Sequence, residues 1–246
     1  MKRFKIKIAE HVFGVCAGFE STADYCREYL TDEEPELELV LTPEDLTHER
    51  ESAHKVEYPV EPPEWVFSDP YLESSALLRK ITDALFEEGV LLFHGSVIAV
   101  DGQAYLFTAP SGTGKSTHTR LWREMLGSRA VMVNDDKPFL SIRKAGVIAH
   151  GSPWNGKHGL GSNISVPLKA ICVLERGAAN EISWISPRDA LRSLLEQSYR
   201  PRNPASLPRY LDLLDGLTSG IRFYRLRCNM EPEAAALAYR VMAEEN

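Results

Sequence analysis

Apolar and charged residues alternate from Phe4 to Ile8, with Lys5 and Lys7 between them, and this period of two predicts a half-buried first strand. Residues 20–30 read as a short helix, and an acidic turn, Asp32-Glu-Glu-Pro35, leads into a second strand over 37–41. From about Thr42 to Pro70 periodicity fades, and charge and proline (Pro59, Pro62, Pro63, Pro70) take its place, which sets a soft boundary there. Beyond it Leu72, Ala76, Leu77, Ile81, Ala84 and Leu85 recur at helical spacing, predicting a helix over about 71–88 that Gly89 ends.

From Val90 the pattern becomes that of a mixed α/β domain. Two apolar runs, 90–100 and 104–108, flank Asp101-Gly102, a hairpin signal that makes them antiparallel strands. A glycine-rich loop follows, then a helix over 115–126 closed by Gly127, then a short buried strand over 130–133 that runs into Asn134-Asp135-Asp136. Further strands are expected at 139–142, 147–150, 168–174, 182–185 and 221–227, and further helices at 187–197, 207–217 and 232–243. In the last helix Ala235, Leu237, Ala238 and Val241 mark a packing face. The organisation so read is a small N-terminal α/β segment, 1–70, followed by an α/β domain with a mixed sheet, 71–246.

Composition narrows the function. With 246 residues and 43% hydrophobic content the chain can bury one large core with a smaller appendage. A net charge of -7, with Lys and Arg scattered rather than gathered in a stripe, argues against a nucleic-acid partner. Cys16, Cys26, Cys172 and Cys228 form no C-x-x-C pair, so neither a zinc site nor a disulfide framework is read from them. The alternating N-terminus lacks the apolar run of a secretion signal. No window approaches the roughly 18 apolar residues of a membrane span, the richest being interrupted by His94. A soluble, cytoplasmic protein is expected, with no membrane partner and with an oligomer left open.

The strongest chemical signal is Ala109-Pro-Ser-Gly-Thr-Gly-Lys-Ser116, which satisfies the phosphate-loop pattern G-x-x-x-x-G-K-[ST] except at Ala109. Gly112 and Gly114 permit torsions that aim successive N–H groups at an anion. Lys115 adds a positive charge for β- and γ-phosphates, Ser116 a hydroxyl ligand for magnesium, and the helix beginning here its positive dipole end. Pro110, Ser111, Gly112, Thr113, Gly114, Lys115, Ser116 and Thr117 are therefore the expected binding residues for a nucleoside triphosphate, taken as ATP, with magnesium. Asp135 and Asp136 close the next strand, where open α/β sheets place ligand sites. Two carboxylates beside a triphosphate repel unless a cation or proton lies between them.

With His94-Gly95 before the loop, Ser111-Gly-Thr-Gly-Lys-Ser116 within it and Asp135-Asp136 after it, the stretch from His94 to Leu140 resembles the HPr kinase/phosphorylase family and, more distantly, the ATP-dependent phosphoenolpyruvate carboxykinases. The resemblance implies the HPr kinase C-terminal and carboxykinase type of α/β fold. It also implies ATP in the loop, magnesium on the serine and an acidic residue, and one aspartate accepting the proton of an acceptor hydroxyl. Asp135 is taken as the base and Asp136, with Ser116, as the metal ligand, the reverse remaining open. The family's later acidic segment has no counterpart: the corresponding stretch, Val147-Ile-Ala-His-Gly-Ser-Pro-Trp-Asn-Gly-Lys157, carries no carboxylate. That departure argues against HPr as acceptor and leaves another protein, a peptide or a small hydroxyl compound.

Secondary candidates are weighed against plainer readings. Lys157, in the loop Ser152-Pro-Trp-Asn-Gly-Lys-His-Gly159, either contacts acceptor or γ-phosphate or belongs to an ordinary surface loop. His94 either works near the phosphates or is a satisfied core histidine. His118 reads as a helix-surface or packing residue rather than a catalyst, and Arg200 with Arg202 as a solvated turn or a grip on a phosphate or an acidic partner. The leading expectation is a magnesium-dependent kinase acting on a hydroxyl, and the rival an ATP-binding accessory or regulatory protein.

Overall fold

The computed structural model of the chain describes residues 1–54 and 67–243. Pro59, Pro62 and Pro63, expected to punctuate a boundary, lie outside the described residues. The chain divides into two compact units, Met1–Glu88 and Gly89–Asn246. The division follows the helix expected at 71–88 rather than preceding it, because that helix packs on the N-terminal elements.

In the first unit β1 (Lys2–Ile8) and β2 (His11–Ala17) form an antiparallel hairpin, with Ala9 and Glu10 both at positive φ in the turn. β2 was not expected: its residues are apolar almost throughout, without alternation, and give no period-two signal. β3 (Leu37–Val40) lies parallel to β2. The helix expected over 20–30 is shorter, with α1 (Glu20–Tyr25) passing into a 3-10 turn over Arg27–Tyr29. The supposedly aperiodic stretch after Thr42 begins with a second helix, α2 (Pro43–His54), none of whose residues is buried. Charge holds it: Asp45 and Glu49 pair with Arg79 of α3 (Asp69–Glu87), and Lys80 adds a second cation to Asp45.

The second unit is built on one mixed, curled sheet. The run 90–100 is not one strand. It breaks at Phe93-His94-Gly95 into β4 (Val90–Leu92), which pairs with β8 (Phe139–Arg143), and β5 (Ser96–Val100), which pairs with β6 (Gln103–Thr108) through the Asp101-Gly102 hairpin turn. β7 (Ala130–Asn134) lies on the other side of β5, and β9 (Gly146–His150) follows β8. The long strand β10 (Ser165–Arg176) joins the two parts, antiparallel to β9 at its start and parallel to β6 and β12 (Arg222–Cys228) further on; β11 (Glu181–Ile185) completes the edge.

These pairings decide where the chemistry lies. β6, β10 and β12 run parallel, and β7, antiparallel to β5, runs in the same direction as β6. Four strand ends therefore meet along one edge: Thr108, Asn134, Arg176 and Cys228. The break before β5 brings His94 to that edge as well. Helices α4 (Lys115–Leu126) and α7 (Pro232–Ala243) cover one face, where Trp122, Phe107, Tyr105, Leu226 and Ala238 form a closed core. α5 (Pro187–Gln197) and α6 (Leu207–Gly220) pack elsewhere on the unit.

Candidate functional site

The loop between β6 and α4 turns on Gly112 and Gly114, at φ 76° and 124°, conformations that a side chain would strain. Ala109 has no positive φ and its methyl packs in the core beneath the loop, so alanine meets no conformational obstacle there. Pro110, Ser111 and Gly112 are exposed, whereas Thr113, Gly114, Ser116 and Thr117 are half-buried. Lys115 is buried, its Nζ donating to the Ala109 carbonyl at 2.8 Å. Burial holds its pKa below the ordinary lysine value; Asp136 and Asp135 oppose that effect, and Lys137 adds to it.

Asp135 and Asp136 are adjacent in sequence and differ in setting. Asp135 is buried, and its Oδ1 accepts a 2.5 Å hydrogen bond from Ser96 Oγ. Ser96 in turn meets Thr119 Oγ1 at 2.9 Å, and Thr119 bonds the carbonyls of Lys115 and Ser116. One buried hydroxyl chain thus ties Asp135 to the first turn of α4. Asp136 is half-buried at the cleft wall, 3.5 Å from His94 Nε2 and 3.4 Å from Lys137 Nζ. The turn that presents both is made by Asn134, whose Oδ1 accepts from the N–H groups of Asp136 and Lys137 and whose Nδ2 donates to Ser152.

His94 is fixed from its other nitrogen, Nδ1, which lies 2.7 Å from Gln197 Oε1 at the end of α5, while its backbone N–H donates to the Gln197 carbonyl. Burial, with Lys137 and Lys115, lowers its pKa against the opposing pulls of Gln197 and Asp136, so the ring is neutral at pH 7.

His94, Asp135 and Asp136 line a cleft of about 490 Å³ together with Ser111, Gly112, Gly114, Lys115, Ser116 and Thr117 of the loop and helix and with Gly156, Lys157 and His158. Gly156 is at φ 74°, and a Cβ there would come within 3.1 Å of Asp136 Cβ, so glycine lets the loop close over the aspartate. Every residue expected to be catalytic is brought to one place. Pro110 and Thr113 belong to the loop without lining this cleft, and Arg200 and Arg202 are exposed away from it.

Other contributors were not expected. Ser96, Thr119 and Gln197 are common polar residues far apart in sequence, and only pairing across the sheet assembles them. Arg176, at the end of β10, donates to the Gly112 carbonyl of the loop at 2.5 Å. Of the two readings of His118, surface and packing, the structure shows packing: buried edge-on to Phe107, it accepts the Trp122 indole N–H at 3.1 Å, and burial lowers its pKa to about 4.

A glycine loop, a buried cation and a helix start in one place are chemically suited to an anion. The nearby hydroxyl and carboxylates are hard oxygen donors. Among the described residues no group of three or more His, Cys, Asp or Glu could hold a metal ion, so a cation here would need further ligands from water or phosphate.

Residues 71–201, a little over half of the chain, match the family model described as SynChlorMet cassette protein ScmC. The chain belongs to the ScmC family. That match spans all the cleft residues of this ScmC protein and Gln197, and it stops short of β12. The family's description names a cassette and no reaction. No curated protein matches the ScmC chain. Among solved structures, the HPr(Ser) kinase/phosphatase from Coxiella burnetii is similar over 63% of this chain and 99% of its own, with 12% identity and a TM-score of 0.33. A likeness at that level carries no conclusion about fold or activity. No helix among the described residues of this ScmC chain is long and apolar enough to cross a membrane.

Proposed function

We propose that this ScmC-family chain is a magnesium-dependent kinase that moves the γ-phosphoryl group of ATP to a hydroxyl of a peptide, a protein or a small molecule. The observation that carries the reading is the pair of unlike aspartates lining one cleft with the glycine loop, Lys115 and Ser116. ATP would supply the phosphoryl group, and Ser116 with a carboxylate would hold magnesium, which would supply charge neutralisation.

The geometry favours exchanging the roles first expected for the two aspartates. Asp135, buried and charge-stabilised by the Ser96 hydroxyl, is suited to holding a cation and poorly suited to reaching an acceptor. Asp136 stands at the wall beside neutral His94, where it can accept a proton from an incoming hydroxyl. In this scheme Asp136 takes that proton as the acceptor oxygen bonds to the γ-phosphorus and the bond to the β-phosphate breaks, releasing ADP. Lys115 neutralises charge on the transferring group. Lys157, an exposed residue lining the same cleft, orients the acceptor or the γ-phosphate.

The rival reading, a nucleotide-binding accessory protein, draws on one observation: the wall from Gly156 to His158 brings no carboxylate to the cleft. Incubation with γ-labelled ATP, magnesium and candidate acceptors, beginning with products of neighbouring genes, separates the two. Label should move to the acceptor only when magnesium is present. Tight ATP binding with no label transferred to any acceptor would favour the accessory role.

A further inference from the structure

A second cavity, of about 440 Å³, adjoins the cleft and lies beside the other side of the loop. Gly112, Gly114 and Thr117 line both spaces. Its walls come from the ends of the parallel strands: Leu174 and Arg176 from β10, and Cys228, Asn229 and Met230 from the end of β12 and the residues after it, with His118 and Leu121 from α4. This space is more apolar in its lining than the cleft: no aspartate and no lysine lines it, and its charged members are Arg176 and Glu175, the latter paired with Arg225 and Arg227.

Three details suit a flat aromatic guest. The Trp122 indole donates to His118 Nε2, which leaves Nδ1 as the protonated nitrogen of a neutral ring and therefore keeps charge out of that wall. Nδ1 itself is buried without a hydrogen-bond partner, an unusual state for a polar atom in a closed core. At the rim Met230 is 73% exposed, a large apolar side chain left in water beside buried Leu121 and Leu174. Thioethers pack well against aromatic rings. Arg176 spans the junction, since it lines this cavity and bonds the loop at Gly112.

We infer that this cavity receives the nucleoside of a nucleoside triphosphate whose phosphates lie in the loop, its aromatic base covered by Met230 against Leu121, Leu174 and the His118 ring. The inference rests on the phosphate reading of the loop, and it adds the part of the site that distinguishes a nucleotide from a bare polyphosphate. The volume falls within the roughly 300–1,000 Å³ usual for small-molecule sites.

The test compares binding of ATP and of inorganic triphosphate, each with magnesium, by titration calorimetry on the full chain. Wild type should bind ATP at least about tenfold more tightly than triphosphate. Met230→Ala should weaken ATP about three- to tenfold, and Met230→Glu more, with triphosphate unchanged in both. Because Met230 is exposed, neither substitution disturbs the core. Equal affinity of wild type for ATP and triphosphate would overturn the nucleoside cavity while leaving the phosphate loop standing. ATP affinity unmoved by either Met230 substitution would overturn it as well. Binding of neither ligand would overturn it together with the phosphate reading.

Discussion

Two buried carboxylates, one in each unit, show how differently the same chemical group is used. Glu73, on α3 of the N-terminal unit, is bonded through both oxygens: one accepts the Gly18 N–H at 2.6 Å, and the other accepts the Phe19 N–H and the Thr22 hydroxyl. It closes the start of α1. Asp135, in the C-terminal unit, has one oxygen bonded to Ser96, and among the described residues nothing donates to the other. A buried polar group that is fully bonded serves the fold, whereas one with a spare acceptor beside a cleft can serve a ligand. Burial alone does not separate the two; bonding capacity does.

Substituting each carboxylate by its amide should break this symmetry in opposite directions. Asp135→Asn should lower transfer at least about a hundredfold at fixed magnesium, with unfolding free energy changed by less than about 1 kcal/mol. Glu73→Gln should destabilise the protein by about 1–3 kcal/mol, since an amide NH₂ cannot accept two backbone or hydroxyl donors, with transfer per folded molecule unchanged. Whichever way the amide of Glu73→Gln turns, its NH₂ faces at least the Gly18 N–H or the Phe19 and Thr22 donors; denaturant melts and initial rates on both variants check the pair. Loss of activity in Glu73→Gln at full stability would contradict the division of labour drawn here.

Acid should sharpen the comparison further. His118, in the C-terminal unit, has its pKa lowered by burial to about 4, below the unfolded value near 6.5. The unfolded state therefore binds the extra proton first, and stability is lost as pH falls below 6.5, reaching about 2 kcal/mol by pH 5. Asp45, in the N-terminal unit, behaves differently. Burial would raise its pKa, but Lys80, the Thr42 N–H and Arg79 outweigh it and hold the group at about 2. That contribution is complete above pH 4 and fades only as pH approaches 2. Between pH 7 and 5, urea melts followed by tryptophan fluorescence should show a loss of stability, and His118→Gln should flatten that loss.

Much of the C-terminal unit was legible from the chain itself, because its signals are local. The Asp101-Gly102 turn, the loop at 109–116 and the Asp135-Asp136 strand end each carry their meaning within a few residues. The N-terminal unit was less legible because its elements lack apolar periodicity. α2 escaped notice for want of an apolar stripe, although Thr42-Pro-Glu-Asp45 is a capping box whose hydrogen bonds are formed, the Thr42 N–H donating to Asp45 at 3.0 Å and the Asp45 N–H to Thr42 Oγ1. β2 escaped because both its faces are covered and alternation vanishes. In the site, Gln197 and Arg176 were out of reach for another reason. Gln197 lies 103 positions from His94 and Arg176 lies 64 from Gly112, and neither type of residue announces a role without the topology that delivers it.

The most direct test of phosphoryl transfer at this site is to measure ATP affinity and γ-phosphoryl transfer on the same preparation of wild type and Asp136→Asn. As the proton acceptor, Asp136 should be needed for transfer, which should drop about 10²- to 10⁴-fold in the variant, while affinity for magnesium-ATP stays within about threefold. Transfer that persists in Asp136→Asn, or that fails only in proportion to lost ATP binding, would contradict it.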